Sequence, residues 1–271
     1  MNRIDERFAK VKADGRKALI TFLTVGDPNL EVSEKAIYTM QEEGVDLIEL
    51  GVPFSDPAAD GPVIQRADER ALAQGVDIFK VFELVRKIRN NVEVPMVFLL
   101  YYNVMVQYGI EKFFKRCQET GVDGLIIPDL PYEESDEIKE YTEKYGVYQI
   151  SLVSPTSKDR IKNIAKDAKG FLYCISSLGV TGEKSSFVTN FDEFVGTIKK
   201  YTDVPACVGF GVSNGRQVKE LTKYFDGAIV GSAIVKSIAT GESVEERINN
   251  LREKNKRFKV GIVIKCPEEK G

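Results

Sequence analysis

Glu43-Gly44-Val45-Asp46-Leu47-Ile48 returns along the chain as Thr120-Gly121-Val122-Asp123-Gly124-Leu125 and, more faintly, as Asp226-Gly227-Ala228-Ile229. In each copy a helix ends, a Gly or Asp turns the chain, and a short apolar strand follows. Outward from these copies the same alternation fills the chain. Strands are expected at 18–25, 46–51, 95–101, 124–128, 148–153, 171–176, 205–210 and 227–231. They are short and nearly continuously apolar, the pattern of strands buried on both faces. Amphipathic segments lie between them, at 31–43, 62–90 in two pieces, 111–120, 133–145, 158–168, 190–200, 214–223 and 243–256. Eight strands alternating with helices, with no linker between halves, predict an α/β fold of the closed (β/α)8 barrel (TIM barrel) type, a single domain over 1–271. An open doubly wound sheet is the second choice, but GxGxxG is absent after the first strand. The tail 257–265 (Arg257-Phe258-Lys259-Val260-Gly261-Ile262-Val263-Ile264-Lys265) reads more like a strand than a helix and carries no functional assignment.

Composition removes several chemistries. The 271 residues carry a formal net charge of −3, with 43% hydrophobic and 29% charged residues. No basic stripe marks a nucleic-acid partner. No apolar run approaches the ~20 residues of a membrane span, and the N-terminus Met1-Asn2-Arg3-Ile4-Asp5-Glu6-Arg7 lacks the apolar core of a signal peptide. Cys117, Cys174, Cys207 and Cys266 are scattered without CxxC spacing, so reduced thiols in a cytoplasmic protein are expected. There is no histidine. A Ser-His-Asp triad, a His-ligated zinc and an imidazole shuttle are therefore excluded, and acid–base work falls to carboxylates, Lys, Tyr or Cys.

Barrel active sites lie at the C-terminal ends of the strands. Glu49 interrupts the apolar strand Leu47-Ile48-Glu49-Leu50-Gly51, where an unpaired carboxylate is expensive unless it faces the barrel mouth. A structural ion pair is the weaker reading. The loop Val52-Pro53-Phe54-Ser55-Asp56-Pro57-Ala58-Ala59-Asp60-Gly61-Pro62 follows. Asp60 precedes a helix start at Pro62, and spacing alone leaves catalysis and helix capping about even. Asp56 reads as a turn former. Glycine-rich turns follow the last strands: Leu178-Gly179-Val180-Thr181-Gly182, Gly209-Phe210-Gly211-Val212-Ser213 and Gly231-Ser232-Ala233-Ile234. Their backbone N–H groups, with a short helix starting near Ser232, suit a phosphate. Rim residues Phe22, Leu100, Tyr101, Tyr173 and Phe210 suggest a substrate with an apolar or aromatic end and a phosphorylated end.

At these positions the chain resembles the tryptophan synthase α-subunit family. The strongest match is the run Leu50-Gly51-Val52-Pro53-Phe54-Ser55-Asp56-Pro57-Ala58-Ala59-Asp60-Gly61-Pro62-Val63-Ile64-Gln65. Phe22 with Thr24-Val25-Gly26-Asp27-Pro28, the segment Gly121 to Pro131, Gly179-Val180-Thr181-Gly182, Gly209-Phe210-Gly211-Val212 and Val230-Gly231-Ser232-Ala233-Ile234-Val235 extend it over 1–256 in order. The resemblance implies a lyase that cleaves indole-3-glycerol phosphate to indole and glyceraldehyde 3-phosphate in tryptophan biosynthesis, without metal or cofactor. It implies that Glu49 moves a proton between the glycerol hydroxyl and indole C3, and that Asp60 holds the indole N–H. It implies that Phe22, Leu100 and Tyr173 line the indole pocket, and that Gly182, Gly211, Gly231 and Ser232 bind the phosphate. It implies that Thr181 is a lid residue meeting Asp60 on closure. The surface around Asp56 is expected to dock on a β subunit in an α2β2 heterotetramer. Two alternatives stay open: a stand-alone lyase releasing free indole, and a non-catalytic barrel that only activates a partner.

Overall fold

The computed structural model describes residues 1–157, 159–175, 190–209 and 211–262. Nine parallel strands form one sheet: β1 (Ala18–Thr24), β2 (Leu47–Gly51), β3 (Met96–Leu99), β4 (Gly124–Ile126), β5 (Tyr148–Gln149), β6 (Leu152–Val153), β7 (Leu172–Ile175), β8 (Ala206–Gly209) and β9 (Gly227–Val230). Their order is β5-β4-β3-β2-β1-β9-β8-β7-β6. The two ends of that order are consecutive in the chain. β5 and β6 are halves of the single expected strand 148–153, joined by Ile150, whose N–H bonds Leu125 O at 2.8 Å, and Ser151, whose carbonyl accepts from Tyr173 N at 2.9 Å. The sheet therefore closes on itself as an eightfold barrel with its helices outside, as the alternation predicts.

The helices start where short polar side chains take up orphan N–H groups. Asn29, Asp77, Asn190 and Asn214 each accept a hydrogen bond from the third residue onward, Val32, Lys80, Glu193 and Gln217. The aspartate shared by the three repeats acquires a physical cause at the barrel floor. Asp46, Asp123 and Asp226 each stand just before a strand, and each accepts a 2.9 Å hydrogen bond from a backbone N–H in the first two residues of a neighbouring strand: Leu19, Met96 and Ala206. Each also takes a cation: Arg16 on Asp46, Arg3 and Arg89 on Asp123, Lys199 on Asp226. The aspartates thus set the stagger of neighbouring strands.

Side chains of alternate strand residues fill the interior. Ala18, Ile20, Leu47, Val97, Ile126, Ile150, Phe171, Cys207 and Ile229 form its lower layers. A helix absent from the expected elements, Arg3–Ala13, plugs the floor with Ile4, Phe8 and Val11. A second one, Tyr102–Tyr108, follows β3. The tail expectation is corrected. Residues 257–262 are the last turns of the helix Val244–Ile262, not a strand. Leu251, Asn255, Phe258 and Ile262 recur at helical spacing and are all buried, and Gly261 lets the helix approach Gly215 and Val218 so closely that a Cβ there would meet Gly215 O at 2.7 Å. Residues 263–271 lie outside the described residues. Among the described residues no helix is long and apolar enough to cross a membrane. Cys117, Cys174 and Cys207 are buried free thiols.

Candidate active site

Glu49 belongs to the inward-facing set of β2, one step above Leu47 toward the strand's C-terminal end. In the sheet it lies level with Phe22 of β1 and Val97 of β3. It is 1% exposed, and its Oε1 has no hydrogen-bond partner among the described residues. Burial pushes its carboxyl up to about 8. No cation pairs with it among the described residues, so the ion-pair alternative for Glu49 is not what the structure holds. The carboxyl is a neutral acid at neutral pH, a state that suits a proton donor.

Phe22 and Tyr173 flank it. Each lies against a glycine: a Cβ on Gly51 would meet the Phe22 ring at 2.5 Å, and one on Gly209 would meet the Tyr173 hydroxyl at 2.5 Å. These glycines make the room in which two aromatic rings line the mouth. Tyr173 is held well above its ordinary range by burial first, then by Glu49 and Asp60, which places it electrostatically between the two carboxyls. Phe22 packs with Ala67, Val235, Val63, Ile64 and Leu99. Leu100 does not join them. It has the opposite strand parity, is fully buried, and belongs to the outer core between strands and helices. Leu99 is the β3 residue whose side chain reaches the mouth, so the pocket assignment of Leu100 is corrected by one residue.

Asp60 sits at the other side, and its capping role is not observed. Gly61 is the N-cap of the helix Pro62–Ala73, and no side chain caps that helix. The Asp60 carboxylate instead accepts the Tyr101 phenol at 2.7 Å, and that phenol oxygen accepts the Ala59 N–H at 3.0 Å. Burial raises the Asp60 carboxyl, with the Tyr101 hydrogen bond pulling the other way. Tyr101 stacks on Phe54 at 4.9 Å between centroids. The residue thus ties the aspartate to the loop that carries it. Tyr101, expected at the rim, is this tether, and Asp68, for which the sequence offers no signal, is a buried carboxyl interacting with Asp60. Asp129 is structural, accepting the Tyr102 N–H at 2.9 and 3.1 Å.

The candidate phosphate cradle is formed by the ends of β8 and β9. Gly211 has φ +74°, a left-handed conformation that glycine adopts without strain. Gly231 precedes the helix Ser232–Ala239, whose first N–H groups have no intrahelical carbonyl to bond. Gly182, Thr181 and Phe210 lie outside the described residues. Between the 52–61 loop and the helix Pro62–Ala73 a groove is lined by Phe54, Asp56, Pro57, Gln65, Glu69 and the partly exposed Leu72.

Comparison with known proteins places this geometry in context. A family model described as tryptophan synthase alpha chain matches residues 8–263. The tryptophan synthase alpha chain of Thermoanaerobacter sp. (strain X514) is 48% identical over 252 residues, covering 93% of this chain and 96% of the relative. That of Methanocaldococcus jannaschii is 47% identical over 238 residues, covering 87% and 84%. Among solved structures, a tryptophan synthase alpha chain from Legionella pneumophila superposes with a TM-score of 0.84 at 34% identity, covering 96% of this chain and 98% of the other. A chain of tryptophan synthase from M. tuberculosis in its open form gives 0.86 at 32% identity, covering 96% and 98%.

Proposed function

This chain belongs to the tryptophan synthase alpha-chain family, and from that membership we propose how its residues divide the work. The enzyme is a lyase, and its reaction is the retro-aldol cleavage of indole-3-glycerol phosphate to indole and glyceraldehyde 3-phosphate. Glu49, in its acid form, donates its proton to indole C3. The ring becomes a cation. Asp60, an anion held by Tyr101, accepts the ring N–H and stabilises that charge. The Glu49 carboxylate then takes the proton of the hydroxyl on the carbon attached to C3. The C–C bond breaks, its electrons return to the ring, and the hydroxyl carbon becomes the aldehyde. Glu49 ends as it began, having given one proton and received one.

The observation that carries this reading is the pair of carboxyls in unlike surroundings. Glu49 is buried with an unpartnered oxygen and a raised pKa, whereas Asp60 is half-buried with a phenol donor. Environment separates acid from anion, without histidine. Phe22, Leu99 and Tyr173 enclose the indole. Gly211, Gly231 and Ser232 bind the phosphate, joined by Gly182, and Thr181 closes on Asp60. The β subunit of tryptophan synthase is the partner, and it docks on the groove of Phe54, Asp56 and Leu72, in an α2β2 assembly of the cytoplasm. Because Phe54 stacks on Tyr101 and Tyr101 holds Asp60, docking reaches the reacting ring through contacts already formed. The test is indole release from indole-3-glycerol phosphate, measured with and without a tryptophan synthase β subunit. Slow release that the partner raises by tenfold or more supports the reading. Fast release that the partner leaves unchanged identifies a stand-alone lyase, and no release under either condition identifies a barrel that only activates.

A further inference from the structure

Asp68 stands on the inner face of the helix Pro62–Ala73, 4% exposed, and the reaction derived above gives it no part. The groups that face it come from every element packed around it. They are Asp60 and Tyr101, Asp27 from the turn after β1, and Thr24 at the end of β1. Arg70, two residues along the same helix, is committed to Asp27 through hydrogen bonds of 2.6 and 2.9 Å. Among the described residues no cation pairs with Asp60 or Asp68.

Two interacting carboxyls, Asp68 almost wholly buried and Asp60 half-buried, do not both ionise readily, so the pair holds one proton. Hydrogen bonding and burial decide where it rests. Asp60 accepts the Tyr101 phenol at 2.7 Å, a bond that favours the anion. Asp68 receives no backbone N–H and no cation among the described residues. Its polar neighbour Thr24, 1% exposed, favours the anion, but this is outweighed by burial, which is deeper at Asp68, 4% exposed, than at the half-buried Asp60. The proton belongs on Asp68.

We propose that Asp68 is a positioning residue for Asp60: as a neutral acid it leaves Asp60 the single anion facing the ring nitrogen, and on ionising it repels Asp60 from Tyr101 and from the ring. This rests on the role given to Asp60 above. Burial, reinforced by Asp60 and Asp27 and opposed by the Thr24 hydroxyl, raises the Asp68 carboxyl to about 8. Glu49, the proton donor, is raised to about 8 as well. The working enzyme therefore carries both protons, and alkaline pH removes both.

The experiment is the pH profile of kcat/KM for indole release by the full chain with a tryptophan synthase β subunit. Above about pH 8 the wild type is expected to fall about 100-fold per pH unit, because two protons are lost. Asp68→Asn is expected to fall about tenfold per unit, since Glu49 alone then titrates. Asp68→Ala, which likewise carries no charge, should show the same shallower limb if the amide packs poorly. A wild-type limb of only about tenfold per unit, or variants that keep the steep one, overturns the proposal. Asp60→Asn at neutral pH separates the two levels. Retained turnover there overturns the role of Asp60 itself, whereas an inactive Asp60→Asn with unaltered slopes at position 68 overturns this inference alone.

Discussion

Replacing Tyr101 by phenylalanine removes one oxygen and keeps the ring. The stacking on Phe54, 4.9 Å between centroids, survives in the variant. What is lost is the 2.7 Å bond to Asp60 and the acceptor of the Ala59 N–H. A hydrogen bond to a charged group contributes ~1.5–3 kcal/mol, and ~1.4 kcal/mol corresponds to tenfold in rate. Full expression of that bond in the transition state would lower kcat/KM about 10- to 150-fold. Asp60 is half-buried, so water replaces part of the lost bond, and the expected fall lies near the lower end, about tenfold. The pH dependence shifts as well. The Tyr101 bond lowers the Asp60 pKa, so its loss raises that pKa, and activity on the acid side is lost at higher pH than in the wild type. The assay is steady-state indole release across the acid range, with thermal unfolding to check the fold. A variant within twofold of wild-type kcat/KM, with an unshifted acid limb, refutes the link between Tyr101 and Asp60.

Three further outcomes are expected. Glu49→Gln stabilises the fold in a pH-dependent way: the native carboxyl titrates near 8 against about 4.5 in the unfolded chain, so wild-type stability falls as pH rises across that window, and the gain in Tm over wild type grows from about pH 5 to pH 8. An equal Tm difference at both ends contradicts the burial of Glu49. Asp123→Ala strips the floor of a carboxylate shared by Arg3, Arg89 and the Met96 N–H, and leaves Arg89 buried without its counter-charge; the cost is expected at about 3–5 kcal/mol in urea unfolding, and a cost below about 1 kcal/mol would show that the floor aspartates do not set the barrel. Gly211→Val places a β-branched residue at φ +74° where the phosphate is expected, and raises the KM for indole-3-glycerol phosphate about tenfold or more; a folded variant with unchanged KM removes Gly211 from the phosphate site.

The barrel was legible because strands buried on both faces write their own bounds as short apolar runs, and because Gly-Val-Asp marks the floor turns. Glu49 was legible for a related reason: a carboxylate inside such a run has few tolerable places to point. Asp60 was half legible. Spacing left capping and catalysis balanced, and what separates them is a phenol 41 positions away, which no local pattern reports. Asp68 was not legible, because among Arg66, Glu69 and Arg70 only its burial distinguishes it. The misassigned residues have local causes. Leu99 and Leu100 are both apolar, and strand parity counted from Glu49 across to Val97 would have chosen Leu99. Arg3–Ala13 carried its signal in Ile4, Phe8 and Val11, at helical spacing behind Asn2 as cap. The tail misled through the β-branched Val260 and Ile262, although Leu251, Phe258 and Ile262 keep the helical period that packing enforces.

The central claim is that Glu49 carries the proton between substrate oxygen and ring carbon. Glu49→Gln keeps the side chain's volume and removes the titrating proton. Its single-turnover cleavage of indole-3-glycerol phosphate, measured beside substrate binding in the complex with a β subunit, tests the claim most directly. The account predicts a rate lower by ~10²–10⁴-fold with binding retained. A variant that cleaves at more than half the wild-type rate would contradict it.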